Sequence, residues 1–144
     1  MSSTEPTETR ESFAELSEEQ CIGLLGSTTV GRVAFLGRRG IEILPVNFVY
    51  HDHAVLFRTS PHGPLAILAA GTTDAAFEID YHDDQNQSGW SVLVTGHVAA
   101  VTDPAELDEL MSRVSPHPWA DGDRSLILRL EPKRITGRSA LRRD

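Results

Sequence analysis

From Val30 onward, apolar and polar residues alternate in short runs broken by turn-forming residues, the period of strands rather than helices. The stretch "VGRVAFLGRRGIEILPVNFVYHDHAVLFRTS" predicts three strands. Hairpin turns fall at Gly37 to Gly40 and at His51-Asp52-His53. Pro45 lies inside the middle strand, where it cannot donate to a ladder, so that strand has an edge, a bulge or a local break. "DAAFEIDYHD" predicts a fourth strand with Phe77 and Ile79 on one face, and "WSVLVTGHVAAVT" a fifth, with Gly96 at a bulge or bend. "RSLILRLEPKRITGRSA" reads as the last strand plus a tail.

Three short segments carry helix signals instead. Ser17 and Gln20 fit a capping box ahead of "CIGLL", and Gly26 fits its C-terminal stop. "GPLAILAAG" has Pro64 in its first turn. Asp103 caps "PAELDELMSRV", with Leu107, Leu110, Met111 and Val114 on one side. The expectation is a mainly β protein with short α-helices, whose long antiparallel sheet closes on itself as a barrel.

Composition narrows the setting. A chain of 144 residues is one domain by its length and can bury a core without metal or disulfide. Residues 1–12, almost devoid of apolar side chains, are expected to be a disordered tail. The domain is expected over 13–138, with a short tail over 139–144. Cys21, the one cysteine, sits on an apolar helix face as a buried thiol. One cysteine and no signal-like apolar segment point to the cytoplasm. No apolar run is long enough for a membrane span. A formal charge of -8 argues against nucleic acid as a partner. The charge is uneven, with Glu5, Glu8, Glu11, Glu15, Glu18 and Glu19 near one end and Lys133, Arg134, Arg138, Arg142 and Arg143 near the other.

The candidate chemistry gathers in "LFRTSPHGPL". Arg58 and Thr59 end a strand just before a turn. A planar guanidinium, a hydroxyl, Ser60 and the Gly63 N–H suit a phosphate monoester. A surface ion pair with a strand-forming Thr is the plainer account. His51 and His53 fall in a turn with no third ligand nearby in sequence, Asp83 and Asp84 begin a polar loop, and His97 reads as a packing or interface residue. No nucleophile elbow, Walker loop, dinucleotide fingerprint or paired-cysteine motif is present. Trp90 and Trp119 suit core packing, an interface or a flat ligand.

In order, "GRVAF", "ILPVNFVY", "LFRTSPHGPL", "FEID", "GWSVLVTGHV" and "PWADGDRSLILRLEPKRITGR" resemble the pyridoxamine 5'-phosphate oxidase-like family, in particular its short actinobacterial-type split-barrel members. The resemblance runs from about Leu16 to Arg138. It implies a six-stranded antiparallel split β-barrel of the FMN-binding type, working as a homodimer with flavin at the subunit interface. By that resemblance Arg58 and Thr59 hold the FMN phosphate, with Ser60, His62, Gly63 and Leu65 of the following turn beside them. Val46 and Asn47 run along the isoalloxazine edge, Trp90 and Ser91 come from the partner subunit, and Arg138 closes over the site. One departure stands out. Many relatives carry a Lys after the Arg-Thr pair, whereas this chain reads Gly63-Pro64-Leu65, with His62 as the nearest substitute. One charge-assisted hydrogen bond lost is roughly 1.5–3 kcal/mol. The second set of basic and hydroxyl groups needed for vitamin B6 oxidation has no counterpart here. Three functions follow as expectations: a flavin-dependent oxidoreductase acting on a small molecule, a non-catalytic carrier or sensor of flavin, deazaflavin (F420) or haem, and a cofactor-free dimer.

Overall fold

A computed structural model describes residues 10–114 and 122–143; Trp119 and the first nine residues lie outside that range. Among the described residues ten elements follow one another: β1 (Arg10–Glu15), α1 (Glu18–Leu25), β2 (Val30–Gly37), β3 (Gly40–His51), β4 (Ala54–Thr59), a 3-10 helix (Pro64–Ala70), β5 (Asp74–Asp83), β6 (Ser88–Ala100), α2 (Pro104–Arg113) and β7 (Leu126–Arg143). All strand pairs are antiparallel, in the order β1-β7-β4-β3-β2-β5-β6, and β7 also pairs with β6. That extra pairing closes six strands, β2 to β7, into a ring. The fold is thus mainly β, a six-stranded antiparallel ring with few helices.

β7 closes the ring because one of its edges serves two partners. β4 pairs with residues 126–130, while β1 takes over at 138–143. β6 follows the opposite edge from 128 to 141. Two boundaries therefore differ from the expected ones. β1 begins at Arg10, inside the stretch expected to be a tail, and β7 continues through 139–143 instead of ending near 138.

Local signals explain most elements. The Gln20 N–H donates to Ser17 Oγ at 3.1 Å and the Ser17 N–H to Gln20 Oε1 at 2.8 Å, the reciprocal box that starts α1. The Glu106 N–H donates to Asp103 Oδ2 at 2.9 Å and starts α2. Asp52 and His53 both have positive φ, 53° and 61°, which is the primed turn whose twist matches a hairpin. At Gly96 the β6–β7 register shifts and skips Lys133. A Cβ on Gly96 would overlap the Glu131 carbonyl, so the bulge needs a residue without one.

Alternation sorts the strands into two faces. Inward go Val33, Phe35, Val46, Phe48, Val55, Phe57, Phe77, Ile79, Val92, Val94, Leu128 and Leu130, all buried. Phe48 and Phe77 meet edge to face at 4.7 Å between centroids. Cys21 is fully buried against this core; burial, then the charge of Glu18, pushes its thiol up from the ordinary range. A second cluster, Leu56, Val101, Leu110, Val114 and Ile127, joins α2 to the outer surface of β4 and β7.

β3 pairs with β2 through residues 40–47, but with β4 only through 48–51. Its other edge over 40–47 has no strand partner among the described residues. Pro45 lies in that half, so of the three readings of this proline the edge position is the one the fold adopts.

Candidate functional site

β4 stops where β3 loses its partner, and "RTSPHG" turns there. Side chains alternate along a strand, so Arg58 and Thr59 point to opposite faces rather than standing side by side. Arg58 shares the outer face with Leu56. One step past the Phe48–Phe57 pair, the register sets it opposite Asn47. Its guanidinium is spent on backbone carbonyls. Nε donates to Arg124 O at 2.6 Å, and Nη1 approaches Met111 O and Val114 O, both at 3.4 Å. A cation at the end of α2 meets the negative pole and the unpaired carbonyls of that helix. Arg58 thus ties α2 and the approach to β7 onto β4.

The turn satisfies its own polar groups in the same way. The Gly63 N–H donates to Ser60 O at 3.2 Å, and the His62 N–H donates to Ser60 Oγ at 3.1 Å. Of the phosphate donors expected from the sequence, the hydroxyl protons of Thr59 and Ser60 and the His62 ring stay uncommitted among the described residues. Leu65 and Val46 turn their side chains into the core, which leaves only their backbone for a ligand.

Two hollows lie near these residues. The larger, about 680 Å³, is bounded by the β2–β3 turn and the segment after β4: Arg38, Arg39 and Glu42 face Pro61, His62, Gly63, Pro64, Ala66 and Ile67. The smaller, about 250 Å³, brings Trp90, Ser91 and Arg138 together with Asp80, Tyr81 and His82. Ser91 pairs with Asp80 on one side and Arg138 on the other, forming a polar row across three strands. Trp90 stacks on Tyr81 at 6.5 Å between centroids.

Of the expected site residues, Asn47 and Arg58 on one side and Ser91 and Arg138 on the other belong to the outer surface of the ring, but not to one place on it, while Trp90, like Val46 and Leu65, packs against the core. Asn47 on β3 and Ser91 on β6 are separated by β2 and β5, roughly 14 Å at about 4.8 Å per strand. Between them Arg32 Nη2 lies 3.3 Å from Glu78 Oε1 and 2.7 Å from Asp80 Oδ1. One cation serves two carboxylates. Burial, then the hydrogen bond and charge of Asp80, pushes Glu78 up to about 7. The hydrogen bond from Glu78 in turn holds Asp80 below the usual range. Beside this cluster Leu36, Ile41 and Ile43 stand exposed at 63%, 80% and 63% on the same face of the β2–β3 hairpin.

Arg38, Arg39 and Glu42 escaped the sequence reading, which took "GRRG" only as a turn. Two adjacent cations at a hairpin tip were the available signal. Tyr81 was also passed over, although its place opposite Trp90 follows from pairing "DYHD" with "SGWS".

A family model described as pyridoxamine 5'-phosphate oxidase matches residues 17–139. The uncharacterized protein Rv0080 of Mycobacterium tuberculosis is 32% identical over 136 residues, covering 92% of this chain and 88% of that one. The FAD-binding protein of Mycobacterium smegmatis superposes with a TM-score of 0.69 at 34% identity, covering 88% of this chain and 97% of that one. A FAD-binding protein of Mesorhizobium loti, 21% identical, shares the fold with a TM-score of 0.75 over 88% of this chain and 97% of its own. By the extent of the family match and by these identities, this chain belongs to the pyridoxamine 5'-phosphate oxidase family.

Proposed function

We propose that this protein binds a flavin between two copies of itself and acts as a flavin-dependent oxidoreductase on a small molecule. The observation that carries the reading is the division of the site. Asn47 lies roughly 14 Å across the sheet from Ser91, and Arg138 stands one strand beyond Ser91. A two-fold related copy supplies one half opposite the other. The exposed Leu36, Ile41 and Ile43 give such a copy an apolar surface to cover. A relative 34% identical is a FAD-binding protein, which supports flavin as the occupant. FMN and FAD share the tricycle and the first phosphate, so the groups at the β4 turn suit either. When bound, the flavin supplies the hydride or electron chemistry, and the residues of this chain hold and orient it.

The test is an absorption spectrum of the purified protein after incubation with FMN or FAD and removal of the excess. Retained flavin bands are the expected result. A protein that stays colourless with both overturns the flavin reading, and a Soret band in the freshly purified protein replaces it with haem. Consumption of NAD(P)H by the loaded protein with an added electron acceptor tests the oxidoreductase part.

A further inference from the structure

The larger hollow holds a feature at odds with the rest of the molecule. The chain carries a formal charge of -8, yet two adjacent guanidiniums, Arg38 and Arg39, reach this hollow against one carboxylate, Glu42. Both arginines are exposed, and neither has an ion pair or hydrogen bond among the described residues. Several other cations do find partners, Arg32 with Glu78 and Asp80, Arg113 with Glu109 and Lys133 with Asp74, while Arg134 and Arg138 share the unpaired state among the described residues but are not neighbours in sequence and do not line this hollow. The backbone fixes where the pair projects. Gly37 pairs with Gly40, whose φ of 119° lets the hairpin close, so Arg38 and Arg39 form the whole tip. Facing them is the β4 turn, where Arg58 is spent on α2.

We propose that the groove between the β2–β3 turn and residues 61–67 binds an organic diphosphate, with Arg38 and Arg39 gripping its oxygens and His62 on the opposite wall. Paired guanidiniums suit adjacent phosphates because each offers a planar fork of donors to oxyanions. At about 680 Å³ the groove exceeds what one phosphate fills and lies within the range of nucleotide-sized sites. The ligand class deepens the flavin reading and rests on it: the diphosphate arm of FAD enters this groove.

ADP, the diphosphate half of FAD, serves as the probe, titrated calorimetrically into the full chain. FAD, FMN and riboflavin are followed by fluorescence quenching. The Arg38→Gln/Arg39→Gln double variant is expected to lose at least ten-fold in affinity for ADP and for FAD, with riboflavin unchanged and an unaltered melting temperature. An Arg113→Gln/Lys133→Gln variant removes the same charge elsewhere and is expected to bind ADP like the parent. ADP that fails to bind the parent, or that binds the Arg38/Arg39 variant equally well, overturns the groove. A parent that takes ADP but no flavin keeps the groove and sinks the flavin reading. A parent that takes flavin with affinity indifferent to the double substitution does the reverse.

Discussion

Arg58 looks in the sequence like a ligand and in the fold like a fastener. Its three carbonyl partners belong to the end of α2 and the approach to β7. Arg58→Ala leaves those carbonyls unserved, and the expected cost is about 1.5–3 kcal/mol in urea unfolding, the range for hydrogen bonds to a charged group. Arg58→Lys should recover only part of it, because an ammonium cannot reproduce the planar fork. The folded alanine variant should also lose less FAD affinity than the Arg38/Arg39 double variant. A stable Arg58→Ala protein that no longer binds flavin would return this residue to the phosphate. That Arg58 and Thr59 part company was legible from the strand period alone. Where the guanidinium goes was not, since it depends on α2 docking over β4, a contact more than fifty residues away in sequence.

At the scale of elements, the β2–β5 pair holds a proton switch. Glu78 titrates near 7 in the fold, against an ordinary 4.5. Between those values the folded chain keeps a proton that the unfolded chain has lost, so stability falls as pH rises through the window and levels off above it. Asp80 works in the opposite sense at acid pH, losing its contribution as pH falls through its lowered value. The melting temperature of the parent should decline from pH 5 to 7.5. Glu78→Gln, which imitates the protonated carboxyl, should flatten that decline; equal slopes in the two proteins would remove Glu78 as its source. The strands and capped helices were readable because their signals are local: alternation, a capping box, a proline at the first helical position. β1 was not. "RESFAE" has no strand pattern of its own, and it pairs because β7 outruns β4 and leaves an edge open. The same long-range accounting carries β7 through 139–143.

For the whole molecule, the exposed hairpin face is where the proposed assembly can be tested. Ile41→Arg/Ile43→Arg places charge where the second copy is proposed to sit, and light scattering should report a dimer for the parent and a monomer for the variant. A dimeric variant would move the interface elsewhere, and a monomeric parent would remove it. The ring closure has a consequence for how this protein comes into being. Among the described residues, β7 is made after the other six strands, and it alone joins β4 to β6. While the ribosome is still producing residues up to α2, the nascent chain can offer only an open five-stranded sheet with a bare edge at each side. Local hairpins form early, but the core is sealed only when Leu126–Arg143 slots between the two waiting edges. Such distant pairings place folding in the slow, millisecond-to-second regime. They also make the interval between synthesis and closure the period of greatest exposure to edge-to-edge association.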